Sequence, residues 1–488
     1  MLFITIKKFR LEVITALAVI AILSLLLMPR PITGVADNGD FARIMNSTGL
    51  SYLTNDREEQ YFGYVNRLYH VGNIIPLGGK YLSTQIPLVL LAVYLSKVLS
   101  GTAFFDIRIL GAIYILILAV AAFLTIACLR RRAGFVSFFS VLAVIPVFCD
   151  IGYTAYFNSL YGEPVTFTFL LLLAGTALYF AREEKPAVWM LSVFGTAAFF
   201  FSGAKVQNVP AGLLLALLCV RLVRLRKDAM WRRVAIFIAV MVMFVSVGCY
   251  LGVSKEIRTC NKYQSVFYGI LRHSPDPAGD LQELGLDPSL EILADTNYFM
   301  ESYPMDIRSQ EFKKMIYDHV NYTKVAAFYL RHTARFLQKL VFAAENGFQL
   351  KQSFGNFEKY PGIHYMQTSH ALSFWSDFKM NVLPHTLLFL FIFYAVVFLV
   401  LVYEYCRSEN AGKRFLVEFF GFVAITGIIQ FIMPIIADGE ADLSKHLFLF
   451  DVSFDMLFSS GLMYIALKAL AAVRYFKSRR IAAKLQTE

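Results

Sequence analysis

Asp37 and Asp40 flank Asn38-Gly39 in the stretch GVADNGDFARIM, a few residues beyond an apolar run that ends near Met28. Carboxylates as a class can do general acid–base work, where a positioned side chain that takes the proton in the transition state contributes about 10²–10⁴-fold. Ionisable groups this close to the hydrocarbon are candidates for function. More polar residues stand at the ends of other apolar runs. Asp150 and Glu163 bracket DIGYTAYFNSLYGEP, Lys205 sits with Gln207 and Asn208 in SGAKVQN, and Lys445-His446 directly precede Leu-Phe-Leu-Phe. Cations beside an apolar run fit a ligand with an anionic head and an apolar tail. Each residue also has a plainer reading. Asp37 and Asp40 fit an Asx turn capping a helix that starts at Phe41, and Glu163, followed by Pro164, fits a first-turn acid facing the helix dipole. Lys205 fits a snorkelling headgroup contact, and Lys445-His446 fit ordinary anionic lipid. Asp150 closes an apolar run, where that dipole disfavours a carboxylate.

The elements that must position these groups are membrane helices. The chain of 488 residues is 57% apolar and 17% charged, against about 45–50% and about 25% in soluble globular chains. Apolar runs fall near 11–28, 84–99, 106–129, 134–149, 164–181, 187–203, 208–223, 234–253, 386–405, 414–436 and 450–473. The net charge of +11 lies largely in clusters between these runs, such as Lys7 to Arg10, Arg130 to Arg132 and Arg221 to Arg233. That is the signature of cytoplasmic loops, so nucleic acid is not an expected partner. If every run crossed, Arg130 to Arg132 and each later cluster would fall on the wrong side. Demoting the run at 84–99, which Pro87 and Lys97 interrupt, restores every loop. The expectation is an all-α polytopic membrane protein with about ten crossings, both termini inside, and 84–99 as a juxtamembrane helix in the outer leaflet. Three regions follow: a transmembrane module over 1–253 with a first external loop at 29–105, an external loop or lid over 254–385, and C-terminal transmembrane helices with a cytoplasmic tail over 386–488. Within the lid, apolar and basic residues mix at helical spacing over 310–344, as in helices lying on a membrane surface. All the polar residues above then share the external face. Ionisable groups at membrane depth are costly and are functional candidates by default.

Six scattered cysteines form no CxxC or CxxH pair, and no P-loop, GxSxG, HExxH or Rossmann glycine pattern stands in a supporting context. The external aromatics Tyr153, Tyr156, Phe157 and Tyr161 fit either core packing or stacking on a sugar. Arg331 and Arg335 in the large loop keep open a polymerase or ligase of lipid-linked glycans. A flippase or transporter would instead call for charge deep in mid-helix.

One crossing followed by an acidic motif opening a juxtamembrane helix resembles the GT-C superfamily of membrane glycosyltransferases. In the aminoarabinose-transferase and protein O-mannosyltransferase branch that motif contains Asp-Glu. GDFARIM aligns on it with Asp40 as the aspartate and Phe41 in place of the usual Glu. STQIPLVLLAVYLSKVLSGTAFFDIRILGAIY is similar to that branch's half-buried helix, short loop and arginine, here Arg108, opening the next crossing. ADNGDF, YFNSLYGEP and KHLFLF look closest to bacterial hexose transferases of cell-envelope glycan biosynthesis. The resemblance implies a hexosyltransferase in the bacterial plasma membrane, with an external active site. It would transfer a sugar, with inversion, from a polyprenyl-phosphate-linked donor to a glycan, lipid or polymer acceptor. Asp40, with Asp37 as helper, would be the base. Lys205, Lys445, His446 and Arg108 would hold the donor phosphate. Glu163 or Asp150 would orient the acceptor, or assist a divalent cation (Mg or Mn) where a branch requires one.

Overall fold

Stretches this rich in Leu, Phe, Val and Ala bury their backbone polar groups most cheaply as helices, and among the described residues ten of the apolar runs form full helices. The computed structural model describes residues 10–74, 81–129, 141 and 144–485. Most of the run at 134–149 and Arg130 to Arg132 lie outside them. The apolar helices are α1 (Arg10–Leu27), α3 (Gln85–Ser100), α4 (Arg108–Leu129), α5 (Glu163–Arg182), α6 (Val188–Gly203), α7 (Val209–Arg221) and α8 (Ala229–Leu251), then α14 (Leu387–Arg407), α15 (Ala411–Asp438) and α16 (Phe448–Leu485). The short α2 (Ala42–Thr48) lies between α1 and α3. Among the described residues seven stretches are long and apolar enough to cross a bilayer: α4, α5, Val206–Leu225 around α7, α8, α14, α15 and Phe448–Val473 of α16. α1, α3 and α6 are shorter apolar helices, and α3 has 16 residues, below the roughly 20 of a typical crossing.

Start signals sit where the sequence supplies them. Pro164 and Pro210 occupy the first turns of α5 and α7, where the missing N–H costs nothing. Asp228 caps α8 by accepting from the Trp231 N–H at 3.0 Å. α5 is the hub, buried from Glu163 to Leu173 and packed against α4, α6 and α15. α14 is peripheral and turns Leu388, Phe391, Val396 and Leu399 outward, as a lipid-facing helix must.

The expectation of an all-α chain needs one correction. The first loop contains a three-stranded antiparallel sheet, β1 (Leu50–Tyr52), β2 (Leu68–Val71) and β3 (Phe104–Asp106), paired Leu50↔Val71 and Leu68↔Asp106. Tyr69 of β2 is buried between Tyr52 and Phe105. Strands of three or four residues are too short for alternation to be read against an apolar background.

Region 254–385 is folded throughout. It holds α9 (Lys255–Ser265), α10 (Gln310–His319), α11 (Tyr322–Arg331), α12 (Thr333–Asn346) and α13 (Phe374–Val382). The helical spacing read over 310–344 is realised as α10 to α12, whose Phe312, Ile316, Val325 and Phe328 turn inward. α9, α11 and α12 seat on α15, bringing this region over the ends of the apolar helices.

Candidate functional site

Asp37 folds the motif that carries Asp40. Its Oδ1 accepts from the Gly39 N–H at 2.8 Å and the Phe41 N–H at 3.1 Å, and Tyr52 donates to Oδ2. This is the Asx turn considered for the pair. Asp37 supplies it, Gly39 takes φ 103° to complete it, and helix α2 starts at Ala42. Asp37 is 1% exposed, and burial pushes its carboxyl up to about 6 against the hydrogen bonds it accepts. The folded protein therefore holds that proton more tightly than the unfolded chain does. Stability from this group is fully present below about pH 4 and is lost as pH rises through 6, by at most about 3 kcal/mol. Asp37→Asn, which does not titrate, is expected to flatten that fall. Thermal unfolding in detergent from pH 4 to 7 checks it, and an unchanged slope would exclude Asp37 as its source.

Released by this turn, Asp40 points into a cavity of about 1030 Å³ between the first loop, the ends of α7, α8 and α15, and the 254–385 region. Its carboxylate pairs with Arg43 at 2.9 Å and with Lys445, and 30% of its side chain is exposed. Burial alone would raise its pKa, but Arg43 and Lys445 outweigh burial and hold it well below the usual carboxylate range. Lys445 also donates to Asn38 Oδ1 at 3.2 Å and lies 4.4 Å from the Tyr161 ring centre.

The loop bearing Lys445 is tightly specified. Gly439 takes φ 65° and Asp442 φ 43°, a left-handed conformation that is sparsely populated outside glycine and tends to mark functional segments. Gln207 Nε2 donates to the His446 carbonyl, and Gln430 Nε2 donates to the Gln207 carbonyl at 2.9 Å. His446 Nε2 lies 2.9 Å from Asp438 Oδ2. Glu440, buried, pairs with Lys339 at 2.6 Å and Arg272 at 2.9 Å, locking the loop to the 254–385 region.

Four of the expected residues therefore line one cavity: Asp40, Lys205, Lys445 and His446. Glu163 lies behind it, buried, its Oε1 accepting from Lys205 at 2.6 Å. Gly162 makes room for that lysine, since a Cβ there would lie 2.5 Å from Lys205 Cγ. The others are elsewhere. Asp150 begins a short helical turn and is fully buried, accepting from the N–H groups of Gly152, Trp375 and Ser376 at 2.8–2.9 Å. It anchors α13 and does not reach the cavity. Arg108 is held by Asp106 at 2.7 Å and donates to the Met28 carbonyl, fastening α4 to the end of α1. Tyr153, Tyr156, Phe157 and Tyr161 are core residues, each 3% exposed or less; helix ends that meet in a bundle bury their rings. Arg331 and Arg335 pair with Glu283 and Asp280 instead of lining the cavity. Among the described residues no group of three or more His, Cys, Asp or Glu is placed to hold a metal ion, and the donors considered for one, Asp150 and Glu163, are engaged as above.

The cavity also has residues that sequence reasoning missed. Arg57, Arg258, Lys262 and Arg308 line it, and none has an ion-pair partner among the described residues. With Arg43, Lys205 and Lys445 they make seven permanent cations against the carboxylates of Asp40, Asp438 and Asp442. Val209, Pro210, Met433 and Pro434, from two bilayer-length helices, add apolar side chains to the same lining. Arg43, three residues beyond Asp40, and Arg258 with Lys262, four apart on α9, share helix faces that spacing reveals. Arg308 had no such signal.

These helices, with a net-cationic cavity gathered at one end of them, define a helical membrane protein of the polytopic class. The chain belongs to the family described as the YfdI N-terminal transmembrane domain, whose model matches residues 3–485. A comparison with curated proteins finds no match.

Proposed function

We propose that the protein is a glycosyltransferase that moves a hexose from a polyprenyl-phosphate donor to an acceptor at the external face of the plasma membrane. The observation that carries this reading is one cavity that holds, among the described residues, four cations without carboxylate partners together with apolar side chains from the ends of two bilayer-length helices. A phosphate bound among the cations leaves its polyprenyl chain beside Val209, Pro210, Met433 and Pro434. Membership of a transmembrane family with glycan-related character supports the same class, as does the likeness to GT-C enzymes around Asp40. Ten crossings with both termini inside belong to this proposal, and they put the cavity outside, where nucleotide sugars are absent and a lipid-linked donor is required.

In the reaction, Asp40 takes the acceptor hydroxyl proton as that oxygen bonds to the anomeric carbon. The bond from the anomeric carbon to the phosphate oxygen breaks, and polyprenyl phosphate leaves with the electron pair. A single displacement inverts the anomeric centre. The cations stabilise the charge that grows on the leaving phosphate, an effect strengthened where water is excluded. The test is to incubate membranes containing the protein with labelled polyprenyl-phosphate hexose and follow label into acceptor. Arg258→Gln removes one charge-assisted contact, worth about 1.5–3 kcal/mol, and is expected to raise the donor KM about ten- to a hundredfold. Label that stays on the donor with wild-type protein and native membranes refutes the proposal.

A further inference from the structure

In the cavity's lining one residue is held in a conformation that its side chain disfavours. Phe62 has φ 61°, and a bulky non-glycine residue there is an outlier that persists only where surrounding structure over-determines it. The restraints are visible. The Phe62 N–H donates to the Asp37 carbonyl at 2.8 Å, and its own carbonyl accepts from the Gly355 N–H at 2.8 Å. Gly63 and Gly355 let two chain segments touch, since a Cβ on Gly355 would lie 1.9 Å from the Gly63 oxygen. Yet the ring bought by this strain is not buried: Phe62 is 43% exposed and lines the cavity that contains Asp40.

Its neighbours extend an aromatic surface outward. Phe354 packs edge-on at 5.8 Å, Tyr61 lines the cavity, and Tyr365, 45% exposed, packs so close to Gly63 that a Cβ there would lie 1.9 Å from its ring. Arg57 lines the same cavity, and the Lys359–Glu59 ion pair adds polar groups close by in sequence to Tyr61. Partly exposed rings beside hydrogen-bonding groups suit a ligand with an apolar C–H face and a hydroxyl-bearing edge. A pyranose has that form. A lipid tail would need an apolar surround, which Arg57 and the ion pair deny it.

We propose that Tyr61, Phe62, Phe354 and Tyr365 form the acceptor platform, and that the acceptor is a glycan chain whose penultimate sugars stack there while its terminal hydroxyl reaches Asp40. This rests on the transferase reading of the cavity. The hydrogen bond from Phe62 to Asp37 ties the platform to the turn that aims Asp40, so both halves are fixed by one piece of backbone.

Phe62→Gly is the informative variant, because glycine adopts this φ without strain and deletes only the ring. Saturation-transfer NMR on the full chain, in a detergent without a sugar headgroup, would use maltotriose, cellotriose and mannotriose as probes. At least one is expected to show transfer to its ring C–H protons, reduced at least fivefold in Phe62→Gly and retained in Phe62→Trp. No transfer to any of the three with wild type, or equal transfer with Phe62→Gly, overturns the platform. The rise in unfolding temperature given by polyprenyl phosphate is measured in parallel and is expected in all three proteins. Its absence in wild type would sink the donor reading while leaving the sugar result to be judged on its own.

Discussion

Asp40→Asn is expected to lower sugar transfer by about 10²–10⁴-fold in a protein that remains folded. The fold should survive because Asp37, not Asp40, supplies the turn that positions this segment. The loss should appear in kcat, because the donor phosphate is assigned to the cations. In the resting site Asp40 is a weak base: Arg43 and Lys445 both pair with it and hold its carboxyl far below neutrality. A phosphate arriving beside Lys445 offers that ammonium a second anion. As Lys445 shifts toward it, Asp40 loses one of two neutralising partners and becomes more basic when the donor is in place. Lys445→Gln should therefore separate the two roles, raising the donor KM while making Asp40 less suppressed. Transfer measured against donor concentration in the two variants checks this. Undiminished kcat in folded Asp40→Asn would remove Asp40 as the base.

The parts of this site that could be read from sequence are those tied to helix ends. Apolar runs fix which ends lie on one side, so Asp40, Lys205, Lys445 and His446 could be grouped before any contact was known. The same counting misplaced Asp150 and Arg108, because lying at the right end of a helix does not say which way a side chain turns. Both instead hold elements together, at Trp375 and Asp106. Arg258, Lys262 and Arg308 escaped notice because 254–385 has no long apolar run to set its geometry; its helices are placed by packing on α15. Short strands were equally hidden. Asp451 and Asp455, four apart in the first turns of α16, were not singled out, and their partner stands 72 and 76 residues away, disclosed only by the fold.

That partner sets the second large effect. Lys379→Met is expected to destabilise the protein by about 3–5 kcal/mol, the range for removing one side of a buried ion pair. Lys379 reaches from α13 into the top of α16, where it is 0% exposed, 2.7 Å from Asp451 and 3.1 Å from Asp455. Asp455 also accepts from Trp375 Nε1 at 2.7 Å and from Tyr153, and Phe348 and Phe454 wall the ammonium at 5.0 and 5.8 Å. One cation thus serves two carboxylates, all three side chains being closed to bulk solvent. Without Lys379, two like charges remain buried side by side, and the ordering of variants follows from that count. Asp451→Asn alone should cost less than Lys379→Met, because it leaves one cation facing one anion and Asp455 keeps its donors. Adding Asp451→Asn to Lys379→Met should recover part of the loss, since it deletes one of the stranded charges. Unfolding temperatures of the three variants in detergent give the order directly. If the double variant is less stable than Lys379→Met, the cost lies in lost packing around the lysine stem and not in uncompensated charge. Because Asp150 holds the start of α13 and Lys379 its far end, loosening this cluster should also reduce transfer, by freeing the region that carries Arg258, Lys262 and Arg308 over the cavity.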